Sequence, residues 1–144
     1  MNLLEIAFTP AVVVTPKNTV RHAVEATLPL KCYAAAVMEN REVKGIITSQ
    51  DVLRRVVLER KDPQTTLVGD VMTAPVKTLH PDGDPEEALK FMLDNQIRHI
   101  PLSEDGVTVC GMLSMRKLLA YLVEDQKDNL DHLEAFLNAD GMGG

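Results

Sequence analysis

The sequence is poor in aromatic residues and in cysteine, and each shortage excludes a class of protein. Aromatic residues make up 3% of the 144 residues and tryptophan is absent, so the core must be aliphatic, helped by seven methionines. Cys32 and Cys110 are too few and too far apart for a disulfide scaffold or a zinc ribbon. We expect two buried, reduced thiols, because free cysteine packs as a small hydrophobic residue.

Long apolar runs are also missing. None approaches the roughly 20 residues that cross a bilayer, and the N-terminal stretch has no basic segment and is interrupted by Pro10. This pattern does not resemble a signal peptide. We therefore expect a cytoplasmic protein.

Positive charge is in deficit. The chain has 15 Lys and Arg against 21 Asp and Glu, a formal charge of −6. Such a balance disfavours general binding to nucleic acid or to anionic membranes. The proportions of hydrophobic residues (45%) and charged residues (25%) are those of an ordinary folded domain.

Motifs of catalysis and phosphate transfer are absent. The sequence has no GxxxxGK[ST], no GxGxxG after a strand, and no HExxH, CxxC or GxSxG. Its four histidines lack metal-ligand spacing, and its carboxylates cluster at helix starts, where they oppose the helix dipole. We predict no catalytic residue, no metal site and no required cofactor.

One unit occurs twice. Each copy runs strand, helix, strand, tight polar turn, strand and helix. The segments are residues 10–16, 19–28, 34–39, 40–42, 45–51 and 51–60 in the first copy, and 75–81, 85–96, 99–104, 104–106, 111–117 and 116–125 in the second. The offset is 65 at Pro16 and Pro81 but 66 at Gly45 and Gly111, so the second copy holds one extra residue.

This repeat predicts the domain organisation. The first repeat covers residues 8–60, a polar linker residues 61–70, the second repeat residues 71–125, and a helical extension with a flexible tail residues 126–144. One copy alone would have a thin core, so the two should pack against each other. The glycine that opens the last strand of each repeat predicts a bulge or a close backbone approach.

The last helix is longer than the repeat requires. No Pro or Gly interrupts residues 116–137. An apolar seam follows the helix, with Val123, Leu130 and Leu137 spaced by sevens and Leu119 and Leu133 at the d positions, and Gln126 interrupts it. Fewer than four heptads leave two interpretations open. The helix folds back on its own domain, or it meets a second copy in a dimer.

Two short segments are candidate binding sites. In the first, Thr48 and Asp51 mark a helix start, where they could serve only as a cap. A carboxylate can also accept both hydroxyls of a ribose, while a Thr hydroxyl and helix amides can meet a phosphate. In the second, Arg98 and His99 are adjacent at the start of a predicted strand, and Arg116 follows Ser114 by two residues. They are either solvated charge or phosphate ligands.

The second copy closely resembles the cystathionine β-synthase (CBS) domain. It carries the VMT start, the helix with EAL and Met, the IRH-x-P segment and the glycine strand ending in a hydroxyl. The first copy matches more loosely through VVVTP and GIITSQDVL, and together the copies span about residues 8 to 125. Two such domains form a Bateman module. The resemblance implies an α/β (α+β) fold of two β-α-β-β-α repeats packed with pseudo-twofold symmetry, here with an extended C-terminal helix.

The resemblance also implies a ligand site. In this family the pattern G-h-h-[ST]-x-x-D ends in the ribose-binding aspartate, which here is Asp51 after Thr48, whereas the second copy has Lys117. One cleft should therefore carry the adenosine signature. Its residues are expected to be Ile46, Thr48, Asp51, Val76, Lys77, Arg98, His99 and Arg116. We expect Asp51 on a surface cleft, so that its removal barely changes folding, and Cys32-Tyr33 where the second copy has Arg98-His99.

These features favour a non-catalytic regulatory module that binds AMP, ADP, ATP, S-adenosylmethionine or a dinucleotide and acts on an effector protein. The family commonly forms dimers, and the C-terminal seam independently favours a homodimer. The alternative is a structural dimerisation module whose nucleotide cleft is vestigial.

Overall fold

The computed structural model describes residues 2–139, without the side chains of residues 129, 132, 133 and 136–139. The elements follow in chain order. They are α1 (Leu3–Ile6), β1 (Val13–Val14), α2 (Val20–Thr27), a 3₁₀ turn (Leu28–Leu30), β2 (Ala34–Glu39), β3 (Glu42–Thr48), α3 (Ser49–Val52) with a π-type continuation (Leu53–Val57), α4 (Val68–Val71), α5 (Pro85–Asp94), β4 (His99–Leu102), β5 (Gly111–Ser114) and α6 (Met115–Ala139). The two predicted β-α-β-β-α repeats are confirmed.

The first repeat is a three-stranded sheet with helices on one face. The strand order is β1-β2-β3, with β1 and β2 parallel and β2 and β3 antiparallel. Alternate residues of β2 serve two cores, as the two-residue period of a strand requires. Ala35 and Val37 pack under α2 and α3, whereas Ala34 and Ala36 face the second repeat.

The second repeat keeps only part of its first strand. Its sheet is β4-β5, and the strand predicted within residues 75–81 is reduced to a single parallel bridge between Leu79 and Leu102. Leu79 donates to the Pro101 carbonyl, but Pro101 has no N–H to return a bond further up the strand. The parallel ladder therefore stops after one bridge.

The short helix before each repeat completes the core of the other repeat. In α1, Leu3 and Ile6 are buried among second-repeat residues, and in α4, Val68 and Val71 are buried among first-repeat residues. The two helices lie 65 residues apart, which is the repeat offset. The stretch predicted as a linker thus ends in a buried helix, and the two repeats are interlocked.

Close backbone approach explains the glycine in β3. A Cβ on Gly45 would lie 2.6 Å from the Thr73 carbonyl oxygen and 2.9 Å from the Met72 sulfur. The approach is fixed by paired bonds between the backbones of Ile46 and Thr73. Gly111 is crowded in the same way, with Phe8 as the neighbour. The expectation from sequence is confirmed at both positions.

The final helix extends to Ala139. Near its start Leu118 is fully buried, and Tyr121 and Leu122 pack on the second repeat's core. The predicted seam lies on another face, where Leu119, Val123 and Leu130 are 42%, 66% and 60% exposed. The side chains of Leu133 and Leu137, and the predicted tail at residues 140–144, lie outside the described part of the chain. The start of the helix therefore packs on its own domain while another of its faces is apolar and exposed, and contact of that face with a second copy stays a prediction.

Within residues 2–139, no helix is both long enough and apolar enough to cross a membrane. Both cysteines are free; Cys32 is buried as expected, and Cys110 is half-buried.

Candidate functional site

The helix start of the first repeat holds a buried polar cluster. Thr48 is the N-cap of α3 and forms a capping box with Asp51. The Asp51 Oδ2 atom accepts from the Thr48 backbone N–H at 2.9 Å and from its hydroxyl at 3.2 Å. The other carboxylate oxygen, Oδ1, accepts from the Thr73 hydroxyl at 2.8 Å. A residue from the start of the second repeat thus binds the carboxylate of the first.

Burial of Asp51 corrects one expectation. The residue is only 6% exposed, so it does not lie on an open surface cleft. A buried carboxylate with three donors supports folding, because its loss leaves those donors short of partners. We therefore expect its removal to destabilise the fold, contrary to the expectation from sequence.

Asp51 nevertheless retains capacity for a further donor. A carboxylate offers about four acceptor positions, and three are used here. The Thr73 hydroxyl is the one donor from outside the capping box, and Thr73 itself is exposed. A ligand hydroxyl could take the free position or replace Thr73.

Ile46 and Val76 meet in the layer between the repeats. Ile46 is buried in a cluster with Met112, its counterpart in the second repeat, and Val76 packs against that cluster. Lys77 is turned elsewhere. Its ammonium donates to the Asn95 side chain and lies 5.7 Å from the Phe91 ring centre, so it is engaged with α5 and the residue that follows it.

Arg98, His99 and Arg116 gather at the helix start of the second repeat. The Arg98 carbonyl accepts from the N–H of Met115, the first residue of α6, and His99 stands opposite Ser114. Arg98 and Arg116 are exposed. Burial, with a smaller contribution from the Arg98 charge, lowers the pKa of His99 to about 4. His99 is therefore neutral at pH 7 and offers a neutral N–H, while both charges come from the arginines.

Strand register corrects the alignment of the two copies. Ala34 pairs with Thr48, and His99 pairs with Ser114, so Ala34 is the counterpart of His99. The first-repeat residues equivalent to Arg98-His99 are thus Tyr33-Ala34, not Cys32-Tyr33. The offset remains 65 through β4 and becomes 66 at β5, which places the extra residue in the intervening loop.

The second helix start replaces the carboxylate with a cation. Lys117 occupies the position of Asp51, because its N–H donates to the N-cap hydroxyl of Ser114. Its ammonium lies 3.8 Å from the centre of the Phe8 ring. Phe8, which bridges to Met112, is the counterpart of Thr73. A cation–π contact thus stands where the first repeat has a carboxylate and a hydroxyl.

The predicted site residues form two groups. Thr48 and Asp51 belong to the first helix start, Arg98, His99 and Arg116 to the second, with Ile46 and Val76 in the layer between. Among the described residues, no hydrogen bond or ion pair joins the two groups. Nor do three His, Cys, Asp or Glu side chains of that part of the chain come together as a metal site would require.

Sequence reasoning missed Thr73 and Phe8, which contact Asp51 and Lys117. A signal was present, since the two positions are separated by the repeat offset of 65 and each lies two residues before a proline.

A separate cavity opens on the outer face of the first repeat. Its volume is about 220 Å³. Its lining is almost entirely apolar and comes from α2, the end of β3 and α3. The residues are Ala23, Val24, Thr27, Leu28, Tyr33, Ile47, Thr48, Ser49, Val52 and Leu53.

Comparison with known proteins decides the family. The CBS domain model matches residues 4–58 and again residues 68–124. The chain belongs to the CBS-domain family. It is a tandem pair of CBS domains, and each match includes the short helix that completes the other repeat.

Relatives and solved structures agree with this assignment. The chain is 32% identical over 128 residues to the mitochondrial CBS domain-containing protein CBSX3 of Arabidopsis thaliana, a match covering 85% of this chain and 62% of the relative. An inosine-5'-monophosphate dehydrogenase of Methanocaldococcus jannaschii is 28% identical over 116 residues, which cover 80% of this chain and 22% of the enzyme. The chain thus spans less than two thirds of either relative. A Burkholderia ambifaria structure, described as a putative signal-transduction protein with CBS domains, superposes with a TM-score of 0.78 at 26% identity, covering 88% of this chain and 96% of that one.

Proposed function

We propose that this CBS pair is a non-catalytic regulatory module that binds an adenosine-containing ligand between its repeats. The candidates are AMP, ADP, ATP, S-adenosylmethionine and a dinucleotide. Asp51 would accept hydrogen bonds from the ribose hydroxyls, and the Thr48 hydroxyl would donate to a ribose or phosphate oxygen. Ile46 and Val76 would contact the base, and Arg98, His99 and Arg116 would lie toward the phosphates. Lys77 would join the base only after leaving α5.

The observation that carries this proposal is the difference between the two helix starts. Asp51 keeps an acceptor position for a hydroxyl and faces a small, replaceable Thr73. At the equivalent place the Lys117 ammonium is already in contact with the Phe8 ring. A ribose needs acceptors, and only the Asp51 side supplies a carboxylate. We therefore assign the ligand to the Asp51 cleft.

Competition with Thr73 gives the site a way to signal. A ribose hydroxyl that displaces the Thr73 hydroxyl from Asp51 would remove the side-chain bond of a segment whose backbone pairs with Ile46. That segment follows α4, which is buried in the first repeat, and Arg55 donates to the carbonyls of Val71 and Met72 at its start. Binding would thus shift the junction between the repeats, and a ligand moves an equilibrium only through such differential contacts. An effector protein or a change of assembly would read the shift.

A second function, a dimerisation module with a vestigial cleft, has its own supporting observation. Asp51 already accepts three hydrogen bonds within the chain, and large apolar side chains are exposed on the 3₁₀ turn, the π-type continuation of α3, α5 and α6. A homodimer fits both functions. The match to a segment of a much longer dehydrogenase also fits a module that serves other parts of a protein.

Thermal stabilisation across a panel of adenosine ligands tests the proposal. A ligand at 100 times its Kd adds about 2.7 kcal/mol of apparent stability, because it binds only the folded state. With the best ligand, calorimetric titration of Asp51→Ala should show roughly 10- to 100-fold weaker binding, since a charged hydrogen bond contributes about 1.5–3 kcal/mol.

Lys117→Ala is the matched control at the equivalent helix position and should bind as the parent does. Unchanged affinity of a folded Asp51→Ala protein would refute the ribose assignment. If no adenosine ligand binds the parent at millimolar concentration, the dimerisation module becomes the better account.

A further inference from the structure

The outer cavity of the first repeat lies where the second repeat places larger side chains. Four lining residues have larger counterparts at the equivalent helix and strand positions. The pairs are Val24 with Leu89, Thr27 with Met92, Ser49 with Met115, and Val52 with Leu118. Met92 and Leu118 are fully buried in the core of the second repeat. The fold itself therefore does not require a hole at this position, and the smaller side chains of the first repeat create it.

The cavity combines an aliphatic interior with two hydroxyls that are free to bond. The Thr27 hydroxyl donates to a carbonyl of its own helix at 2.9 Å, and the Thr48 hydroxyl donates to Asp51, so neither needs a further partner. Tyr33 and Ser49 also line the cavity, and both are exposed. In the portion of the chain that the structure describes, neither of their hydroxyls has a hydrogen-bond partner. A molecule in the cavity would contact apolar side chains over most of its surface and could make one hydrogen bond.

The size and the lining of the cavity select a class of ligand. At about 220 Å³ it exceeds the roughly 150 Å³ of an apolar cavity that stays dry and binds benzene. It therefore has room for two fused rings or for one substituted ring. Adenine does not suit it, because aliphatic side chains would leave the ring nitrogens and the amino group of the base without partners. A charged molecule is excluded for the same reason.

We propose that the outer cavity is a second ligand site, which binds an uncharged aromatic molecule of one or two rings with a single hydrogen-bonding group. The rings would lie among Val24, Ile47 and Val52, and the polar group would meet the hydroxyl of Tyr33 or Ser49. An apolar cavity destabilises a fold in proportion to its volume. A ligand that fills the cavity therefore stabilises the chain.

This site lies on the other face of the sheet from the proposed adenosine cleft. Ile46 faces the second repeat, whereas its neighbour Ile47 packs under α2 and α3 and lines the cavity. Adjacent residues of a strand point to opposite faces, so one ligand cannot contact both side chains. The two sites meet only at Thr48, which lines the cavity and caps α3 together with Asp51. The two ligands are therefore expected to bind side by side rather than to compete.

Titration with indole, followed by methyl NMR spectra of the chain, tests the site. Indole is uncharged, has two fused rings and carries one N–H. It should bind with a Kd on the order of 0.1–1 mM. Methyl signals of Val24, Ile47 and Val52 should shift, whereas those of Val76 in the layer between the repeats should not. An excess of adenosine should leave the Kd unchanged. Competition by adenosine, shifts confined to other residues, or no binding at about 5 mM indole would each overturn the proposal.

Two variants fill the cavity with side chains that the second repeat uses. Val24→Leu with Thr27→Met fills it from α2, and Val52→Leu fills it from α3, so the test does not depend on the folding of one variant. Each should weaken indole binding by about tenfold or more without lowering the melting temperature. Val107→Ala, which changes an exposed apolar residue of the β4–β5 loop, is the control and should bind indole as the parent does. A folded variant of either kind that binds indole as tightly as the parent would refute the site.

A second copy of the chain is the alternative occupant of this face. In that case the apparent Kd for indole would rise with protein concentration, and the filled variants would change the sedimentation velocity of the chain instead of its affinity for indole. Either result would overturn the proposal. Because the Kd is measured without nucleotide, failure of the adenosine assignment would not alter these outcomes.

Discussion

Replacing Asp51 should destabilise the fold substantially. In Asp51→Ala, Thr48 loses two bonds and Thr73 loses one, all to a buried carboxylate. Such bonds contribute about 1.5–3 kcal/mol each when measured singly. They are not additive here, because they share one group whose own desolvation is relieved on removal. We expect a loss of about 2–3 kcal/mol, against at most about 1 kcal/mol for an exposed helix-start carboxylate.

Urea denaturation measures this loss directly, with Asp70→Ala as the exposed helix-start control. Thr73→Val removes only the 2.8 Å bond and should cost about 1 kcal/mol. The double variant should then show a coupling energy on the order of 1 kcal/mol, as expected for residues in contact. Additive effects, or a change below 1 kcal/mol for Asp51→Ala, would refute the buried cluster. Thr73→Val also bears on function, because it should bind an adenosine ligand several-fold more tightly if ribose competes with that hydroxyl.

Three further outcomes are expected. The pKa of His99 is about 4 in the folded chain and 6.5 in the unfolded chain, so the unfolded chain takes up a proton first as pH falls. The free energy of unfolding should therefore decline between about pH 6.5 and 4 by up to about 3 kcal/mol, and a His99→Gln variant that shows the same decline would contradict this. Gly45→Ala should lower the free energy of unfolding by about 1–3 kcal/mol, because its Cβ meets a backbone oxygen at 2.6 Å. The loss should exceed that of Gly111→Ala, whose closest contact is 3.2 Å, and equal melting temperatures of the two variants would contradict the close approach. Truncation after Glu124 should weaken the dimer in light scattering, because it removes the exposed Leu130 and the acidic residues that follow Glu124 on α6. An unchanged dimer would show that residues 125–139 take no part in it.

The repeat and its elements could be predicted from the sequence because local patterns encode them. Residues 34–39 form a strand at the predicted bounds, and the other strands and helices differ by a few residues or, before α5, by a strand reduced to one bridge. Strand and helix periods, caps and turns depend on neighbouring residues only. That Tyr33-Ala34 is the equivalent of Arg98-His99 could not be found in this way. The equivalence follows from strand register, which depends on the residues that lie opposite on the partner strand.

The candidate site was predictable as a set of residue types but not as an arrangement. The Thr48–Asp51 segment indicated a helix cap, and the structure shows a capping box there. The resemblance suggested a second role for the same residues. Burial of Asp51 and its bond to Thr73 depend on a contact between residues 22 positions apart, which no local pattern encodes. Likewise Lys77 was expected near the base, but its contacts with Asn95 and Phe91 depend on how α5 packs.

Interlocking of the repeats connects these corrections to function. The segment that enters each repeat first crosses to the other one, where it buries a short helix and then contacts the residue at the critical helix position. Thr73 reaches Asp51 in this way, and Phe8 reaches Lys117. Each helix start is therefore bound by the segment that leads into the opposite repeat. A ligand that competed with Thr73 for Asp51 would act on the segment that leads into the second repeat. The cation–π contact of Lys117, by contrast, binds the segment that leads into the first repeat. Under the proposed function a ligand would act on the junction at Asp51, whereas at Lys117 the chain fills the equivalent place with its own Phe8 ring.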